Sequence, residues 1–331
     1  MKQDHKIITL LTDFGLKDVY VAVMKGVINQ INSQINIIDL THYIPPQNIA
    51  AGRFNLLNAY PYFPEKTVHI AVVDPEVGTQ RRAIAIQFKN SYLVGPDNGL
   101  LTGILEPFLT GEIEAINRNN VAEIIAVELN HPEYWRTEQP STTFHGRDIF
   151  APVGAHLASG VPLEKLGTMI DPKTLVRLSL PPYQVNNLQI EGCIQYIDDF
   201  GNLVTNIPGE AVADTNWYVV ISQEKNQKSK KLSKKKQKKS KKILNSQQQI
   251  LSSSSYLIGA GQTYGDVPLG DFVALVGSHG WVEIARNGGN AQQKLKVDWG
   301  TKVQAILGNT GGLRKKLGSA PRTLCDGASC L

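Results

Sequence analysis

The feature that most constrains this 331-residue chain is an alternation of two periodicities in its first half. Lys6–Thr12 is a short β run, and Val19–Asn29 repeats its apolar residues at helical spacing around Gly26. Ile35–Leu40 is a second β run, and Ala50–Tyr60 is a helix stopped by Pro61. Thr67–Val73, Ala83–Phe88 and Tyr92–Val94 follow as strands, and a helix over Ala151–Ala158 ends at Gly160. Strands alternating with helices predict an α/β domain over residues 1–169, with a mostly parallel sheet covered on both faces.

The pattern then changes. Residues 170–186 carry Pro172, Pro181 and Pro182 and read as a linker. From Leu188 onward short β runs dominate, at Gln189–Ile197, Leu203–Ile207, Trp217–Ile221, Phe272–Val276 and Trp281–Ala285. Glycine and asparagine turns separate them, which predicts a smaller all-β, barrel-like domain over 187–307. Residues 223–255 interrupt it with a lysine-, serine- and glutamine-rich segment that has no hydrophobic period and is expected to be disordered. Its flanks, Trp217–Ile221 and Tyr256–Ile258, are placed to pair as a hairpin with the insertion as its loop. The Gly-rich, basic tail at 308–331 is expected to be flexible.

Charge has to be read locally. The net charge is +5, but residues 224–242 hold eleven lysines and one glutamate and contribute +10, so the rest of the chain carries −5. The Lys225–Lys242 run has no interleaved aromatic on which a base would stack, so it reads as a solvated loop, with nucleic-acid contact the alternative. Three cysteines, Cys193, Cys325 and Cys330, are neither a disulfide framework nor a clustered metal site. No apolar run approaches the roughly 18 residues of a membrane span. The stretch Ile7–Leu11 is too short for a signal-peptide core, so a cytoplasmic location is expected.

Five segments stand out, each with two readings. In Leu10-Leu11-Thr12-Asp13-Phe14-Gly15 a strand ends in a carboxylate, where the sheets of α/β proteins bind ligands. Asp13 there either accepts the hydroxyls of a ribose diol or caps a helix; no G-x-G-x-x-G follows, so a dinucleotide fingerprint is missing. In Val72-Val73-Asp74-Pro75-Glu76-Val77-Gly78-Thr79-Gln80-Arg81-Arg82 a strand again ends in aspartate, ahead of a turn and two arginines. Asp74 and Arg81 meet across it either as a functional pair or as a surface salt bridge. His145, in Thr142-Thr143-Phe144-His145-Gly146-Arg147-Asp148, lies in a tight turn immediately before a helix and is functional or simply structural. Ile197-Asp198-Asp199-Phe200-Gly201-Asn202 is a β-turn or a polar site. Gly277-Ser278-His279-Gly280 precedes Arg286-Asn287-Gly288-Gly289-Asn290, a turn-like run whose backbone N–H groups suit an adenine edge or a carboxylate.

Taken in order from about residue 6 to 295, with a break at 223–255, these segments resemble the S-adenosyl-L-methionine hydroxide adenosyltransferases, hydrolytic relatives of the fluorinase and chlorinase enzymes. The resemblance implies an α/β N-terminal domain, a β-barrel C-terminal domain, and a homotrimer with active sites between subunits. It implies S-adenosyl-L-methionine as substrate, no cofactor and no metal. Asp74, Arg81 and His145 would surround an attacking water, and Asp13 would hold the ribose. Asp198, with Asn202 nearby, would take the methionine ammonium, Ser278 the methionine carboxylate, and Arg286, Asn287 and Gly288 the adenine. One position departs: Glu76 stands where the family has glycine, and a φ above zero there would strain the turn.

The expected reaction is displacement at the ribose 5′ carbon by water, giving adenosine and L-methionine. The thioether leaves neutral and needs no acid, so the burden falls on activating water. A carboxylate at the nucleophile position opposes a halide by charge repulsion, which disfavours a halogenase. A non-catalytic adenosine- or S-adenosyl-L-methionine-binding protein is the other alternative.

Overall fold

The computed structural model describes residues 6–109, 124–179, 181–213, 215–222, 249–252 and 255–308. They divide into two compact units that meet in sequence between Ser179 and Leu180.

The first unit runs β1 (Ile7–Thr12), α1 (Tyr20–Ile31), β2 (Asn36–Thr41), α2 (Ile49–Ala59), β3 (Val68–Val72), β4 (Ala83–Phe88), β5 (Ser91–Pro96), α3 (Glu106–Leu109), β6 (Ile124–Glu128), α4 (Ala151–Ala158) and β7 (Thr168–Ile170). Its seven strands lie in the order β2-β1-β3-β5-β4-β6-β7. The first three contacts are parallel and those around β4 and β7 antiparallel, so five of the seven strands share one direction. The continuous apolar runs of β1 and β3 follow from burial on both faces: Ile8, Leu10, Leu11, Ile70 and Ala71 are fully covered.

Helix α1 turns Val21, Met24, Val27 and Ile28 inward at helical spacing. Met24 and Ile28 are completely buried and each contributes roughly 1.5–3 kcal/mol. Helix α2 starts at Asn48, whose side chain accepts from Ala51 N–H. Helix α4 packs on β3 and α1. A Cβ at Gly154 would lie 2.4 Å from Ile70 Cδ1, so a larger residue there would displace the Ile70 side chain.

The second unit contains β8 (Gln184–Asn186), β9 (Gln189–Ile197), β10 (Leu203–Pro208), β11 (Trp217–Ser222), β12 (Gln249–Ser252), β13 (Ser255–Gly259), β14 (Phe272–Val276), β15 (Trp281–Arg286), α5 (Ala291–Leu295) and β16 (Lys302–Leu307). The strands follow the path β12-β13-β11-β16-β9-β10-β15-β14, with β8 added on β9. A bridge between Ala260 and Ala274 brings the chain beyond β13 to β14, so the antiparallel sheet curls into a nearly closed barrel. Ile190, Ile194, Val219, Ile258, Ile284 and Val303 fill its interior.

The expected hairpin across the insertion forms, with Tyr218 opposite Gly259 and Ser222 opposite Ser255. The insertion's disorder needs a correction at its C-terminal end. Gln249–Ser252 is a strand on β13, and Ser255 is already within β13, because the edge of β13 offers its backbone groups to the returning chain. Residues 223–248, including Lys225–Lys242, and the tail from 309 lie outside the described residues. The stretch read as a linker over 170–186 is not free of structure. Val176 N–H donates to Asp97 Oδ1 and Arg82 holds Thr174, while Gln184–Asn186 pairs with β9.

Candidate active site

In the parallel pair β1/β3, Thr12 stands opposite Val72. Asp13 therefore leaves the sheet almost level with Val73 and Asp74, at the carboxyl ends of neighbouring strands about 4.8 Å apart. Asn98 Nδ2 donates to Val73 O at 2.9 Å and steadies the second exit. The chain then turns through Gly78, whose φ is +78° and whose absent Cβ would lie 2.2 Å from Thr142 O. That glycine allows the loop to close onto the segment carrying His145. Glu76 is not among the residues with positive φ, so the strain expected at this position does not exist; the left-handed residue of the turn is Gly78.

Closure brings Asp74, Arg81 and His145 together. Arg81 Nε donates to Asp74 Oδ1 at 2.9 Å, and its Nη2 donates both to Asp74 Oδ2 and, at 2.8 Å, to Nδ1 of His145. The Asp74 and Arg81 side chains are each only 4% exposed, so this is no surface salt bridge. The guanidinium also lies 5.4 Å from the centre of the Phe150 ring. Arg82 points elsewhere, donating from Nε to Asp97 Oδ2 at 2.8 Å and reaching Thr174. A guanidinium only donates, so Nδ1 of His145 is the acceptor and its hydrogen sits on Nε2. Burial and the Arg81 charge hold the His145 pKa below its ordinary value, against opposing effects of Asp74 and Asp148.

The turn expected before the helix is itself helical. His145 caps one π-helical turn, Gly146–Phe150, which runs directly into α4. Pro152 has no N–H to offer Asp148 O, and that carbonyl accepts Arg136 N–H at 2.9 Å instead. The Asp148 side chain, fully buried, accepts from Arg136 Nε, from Arg147 Nε at 2.7 Å and from Ser141 N–H at 2.9 Å. Burial alone would raise its pKa, but these hydrogen bonds outweigh it and keep the carboxyl well below the usual carboxylate range. Asp148 thus ties both ends of the His145 loop. Sequence reading passed over it because nothing local distinguishes a buried aspartate from a flanking charge.

Asp13 is partly buried and accepts Gln47 N–H at 2.8 Å. It therefore caps no helix, since α1 begins at Tyr20.

The remaining candidates lie in the second unit. Asp198 and Asn202 close the β9–β10 turn: Asn202 N–H donates to Oδ1 at 2.8 Å and its Nδ2 to Oδ2 at 2.9 Å. Each carboxylate oxygen keeps a second lone pair for an outside donor. Leu203 pairs with Ile284, so this turn lies beside the end of β15 that carries Arg286, Asn287 and Gly288. Arg286 Nε donates to Gly270 O at 2.8 Å, and Asn287 Nδ2 to Val267 O at 2.7 Å. Asn287 N–H and Gly289 N–H are bonded to Asp271 O and Arg286 O, so the run has fewer free amides than its composition suggests. Ser278 is exposed in the turn at the other end of β15, about 20 Å along a six-residue strand from Arg286. Between them Glu283, 4% exposed, accepts from Tyr264 Oη and from His279 Nε2, each at 3.0 Å. Burial and the Glu283 charge push the Tyr264 pKa up to about 12.

Known proteins resemble this chain over most of its length. A protein of Salinispora arenicola named (R)-S-adenosyl-L-methionine hydrolase is 34% identical over 301 residues, covering 91% of this chain and 98% of its own length. A fluorinase of an Actinoplanes species is 31% identical over 228 residues, covering 61% of this chain and 72% of its own. The solved structure of an uncharacterized conserved protein from Thermotoga maritima superposes with a TM-score of 0.72 at 33% identity, covering 90% of this chain and 99% of that one. Residues 8–167 match the SAM hydroxide adenosyltransferase N-terminal domain and residues 192–304 the corresponding C-terminal domain, and the chain belongs to that family.

Proposed function

We propose that this protein is an enzyme that hydrolyses S-adenosyl-L-methionine to adenosine and L-methionine. The observation that carries the mechanism is the buried fork of Arg81 on Asp74 and His145. A water oxygen attacks the ribose 5′ carbon opposite the sulfur. The new C–O bond forms as the C–S bond breaks, its electron pair goes to sulfur, and methionine leaves as a neutral thioether. The proton lost from water passes to the Asp74 carboxylate and then to solvent. His145 is not the base, because its one basic lone pair already accepts from Arg81. Its work is to hold the guanidinium beside the nucleophile, where the positive charge favours hydroxide character. Placing water on line with the C–S bond supplies a further part of the acceleration.

Asp13 holds the ribose diol in this reading. Asp198, with Asn202 behind it, takes the methionine ammonium, Ser278 the carboxylate, and Arg286 to Gly288 the adenine. Ser278 stands a strand's length from Asp198 within one chain, so unchanged affinity in Ser278→Ala would remove it from the set. The homotrimer with intersubunit sites implied by the family resemblance belongs to the same proposal, as does a cytoplasmic setting. Sedimentation analysis tests the trimer. The relatives' names specify the R configuration at sulfur, and we take the same epimer as substrate.

The test is chromatography of products after incubation with each sulfur epimer. Adenosine should appear, with no halogenated nucleoside in chloride or fluoride. Asp74→Ala should lose most activity while still binding adenosine. No turnover between pH 6 and 9, or full turnover in Asp74→Ala, would refute the proposal.

A further inference from the structure

Behind Asp13 a line of polar groups runs from the surface into the sheet. Lys25 Nζ donates to Asp39 Oδ2 at 2.6 Å, and Asp39 Oδ1 lies 3.1 Å from Nε2 of His42. Nδ1 of His42 lies 2.8 Å from Thr12 Oγ1. His42 is 2% exposed and Thr12 fully buried, so neither exchanges these partners for water. The same two residues bind the backbone that follows Thr12: Phe14 N–H donates to Thr12 Oγ1 at 3.2 Å, and Gly15 N–H to the main-chain O of His42 at 2.8 Å. Asp13 sits between Thr12 and Phe14, and its own carboxylate is fixed by Gln47 N–H.

The donor order follows from chemistry. The Asp39 carboxylate only accepts, so the imidazole hydrogen of His42 is on Nε2, facing Asp39, and Nδ1 accepts the hydroxyl hydrogen of Thr12, whose oxygen accepts from Phe14. A buried Nε2–H needs a partner, and the Asp39 carboxylate is the acceptor within reach, though off the ideal axis.

We infer that His42, oriented by Asp39, is a positioning residue that holds the Thr12–Gly15 segment so that the Asp13 carboxylate faces its ligand. The inference rests on the reading of Asp13 as the ribose-diol acceptor and extends it to residues that touch no substrate. Its functional consequence is specificity. A carboxylate held at one angle accepts from two hydroxyls at once; a loosened one discriminates less between a ribose and a deoxyribose.

The experiment measures affinities of adenosine and 2′-deoxyadenosine for the full-length protein and its Thr12→Val, Thr12→Ser and His42→Leu variants, with kcat on S-adenosyl-L-methionine and amide hydrogen exchange. Thr12→Val keeps the shape of the side chain and removes the hydroxyl. It and His42→Leu should lower the preference for adenosine by about two- to tenfold, the range for one neutral hydrogen bond. Saturated kcat should change by less than about twofold, Thr12→Ser should restore the preference, and the Phe14 and Gly15 amides should exchange faster. An unchanged preference in folded Thr12→Val and His42→Leu overturns the inference, as do amides that stay protected in both. If instead Asp13→Ala leaves the preference intact while exchange responds, it is the reading of Asp13 that fails.

Discussion

Replacing His145 separates two ways in which a histidine serves such a site. In the structure Nδ1 accepts from a guanidinium whose side chain is 4% exposed. His145→Ala leaves that N–H of a charged group without its partner, a loss of about 1.5–3 kcal/mol, or roughly ten- to a hundredfold in kcat if Arg81 then moves off the water. A general base at this position would cost about 10²–10⁴, so the alanine variant alone does not distinguish the roles. Asparagine does. Its Oδ1 occupies the place of Nδ1 and accepts from Arg81, while nothing replaces Nε2. Glutamine reaches the place of Nε2 instead. His145→Asn is therefore expected to retain activity within about tenfold of the parent, and His145→Gln to fall near His145→Ala. The assay is adenosine release at saturating substrate, with thermal unfolding to confirm that each variant is folded. An asparagine variant as poor as alanine, beside a glutamine variant that works, would refute the argument and return the chemistry to Nε2.

The pH dependence follows from the same contact. The neutral imidazole is the form that accepts from Arg81, and its pKa is lowered, so kcat should hold its plateau below pH 6.5 and fall only as His145 protonates. In Arg81→Met that acid limb should move upward, and a limb that stays in place would show Arg81 is not its cause. Elsewhere, His69 is fully buried between the Tyr60 and Phe63 rings, 2.8 Å from Thr9 Oγ1, and burial pushes its pKa from 6.5 down to about 4. Below pH 6.5 the unfolded chain binds a proton that the folded chain refuses. Urea unfolding should therefore show up to about 3 kcal/mol of stability lost between pH 6.5 and 4, and His69→Leu should remove that component; an unchanged slope in the variant would count against it. Deleting 224–242 should leave hydrolysis unaltered, because the β11–β13 pairing is complete at Ser222–Ser255, whereas loss of turnover would make the lysine segment part of the enzyme.

Local periodicity carried a great deal. The strands β1, β3 and β4, the helix α4, and the pairing of Trp217–Ile221 with the far side of a lysine-rich insertion were legible because each is a run of side chains facing one environment. So were the aspartates just beyond β1 and β3, since a polar residue following a buried strand marks the sheet's open edge. Periodicity said less where the signal is short or cooperative. The strands β8 and β12, of three and four residues, form because a neighbouring edge needed backbone partners, and the π turn after His145 reflects Pro152 acting on a carbonyl four residues back.

What composition and spacing determined was which side chains this protein has available and in which order the chain presents them. Whether Arg81 would reach His145, 64 residues away, or sit on the surface was decided only when the Gly78 turn met Thr142 and both side chains left water. The same holds for Asp148, a flanking charge in the sequence and a fully buried anchor in the fold. Desolvation is the physical reason. The strength of a hydrogen bond, the tautomer of an imidazole and the direction of a pKa shift depend on what surrounds a group in space, and neighbours in space are set by packing across the whole unit.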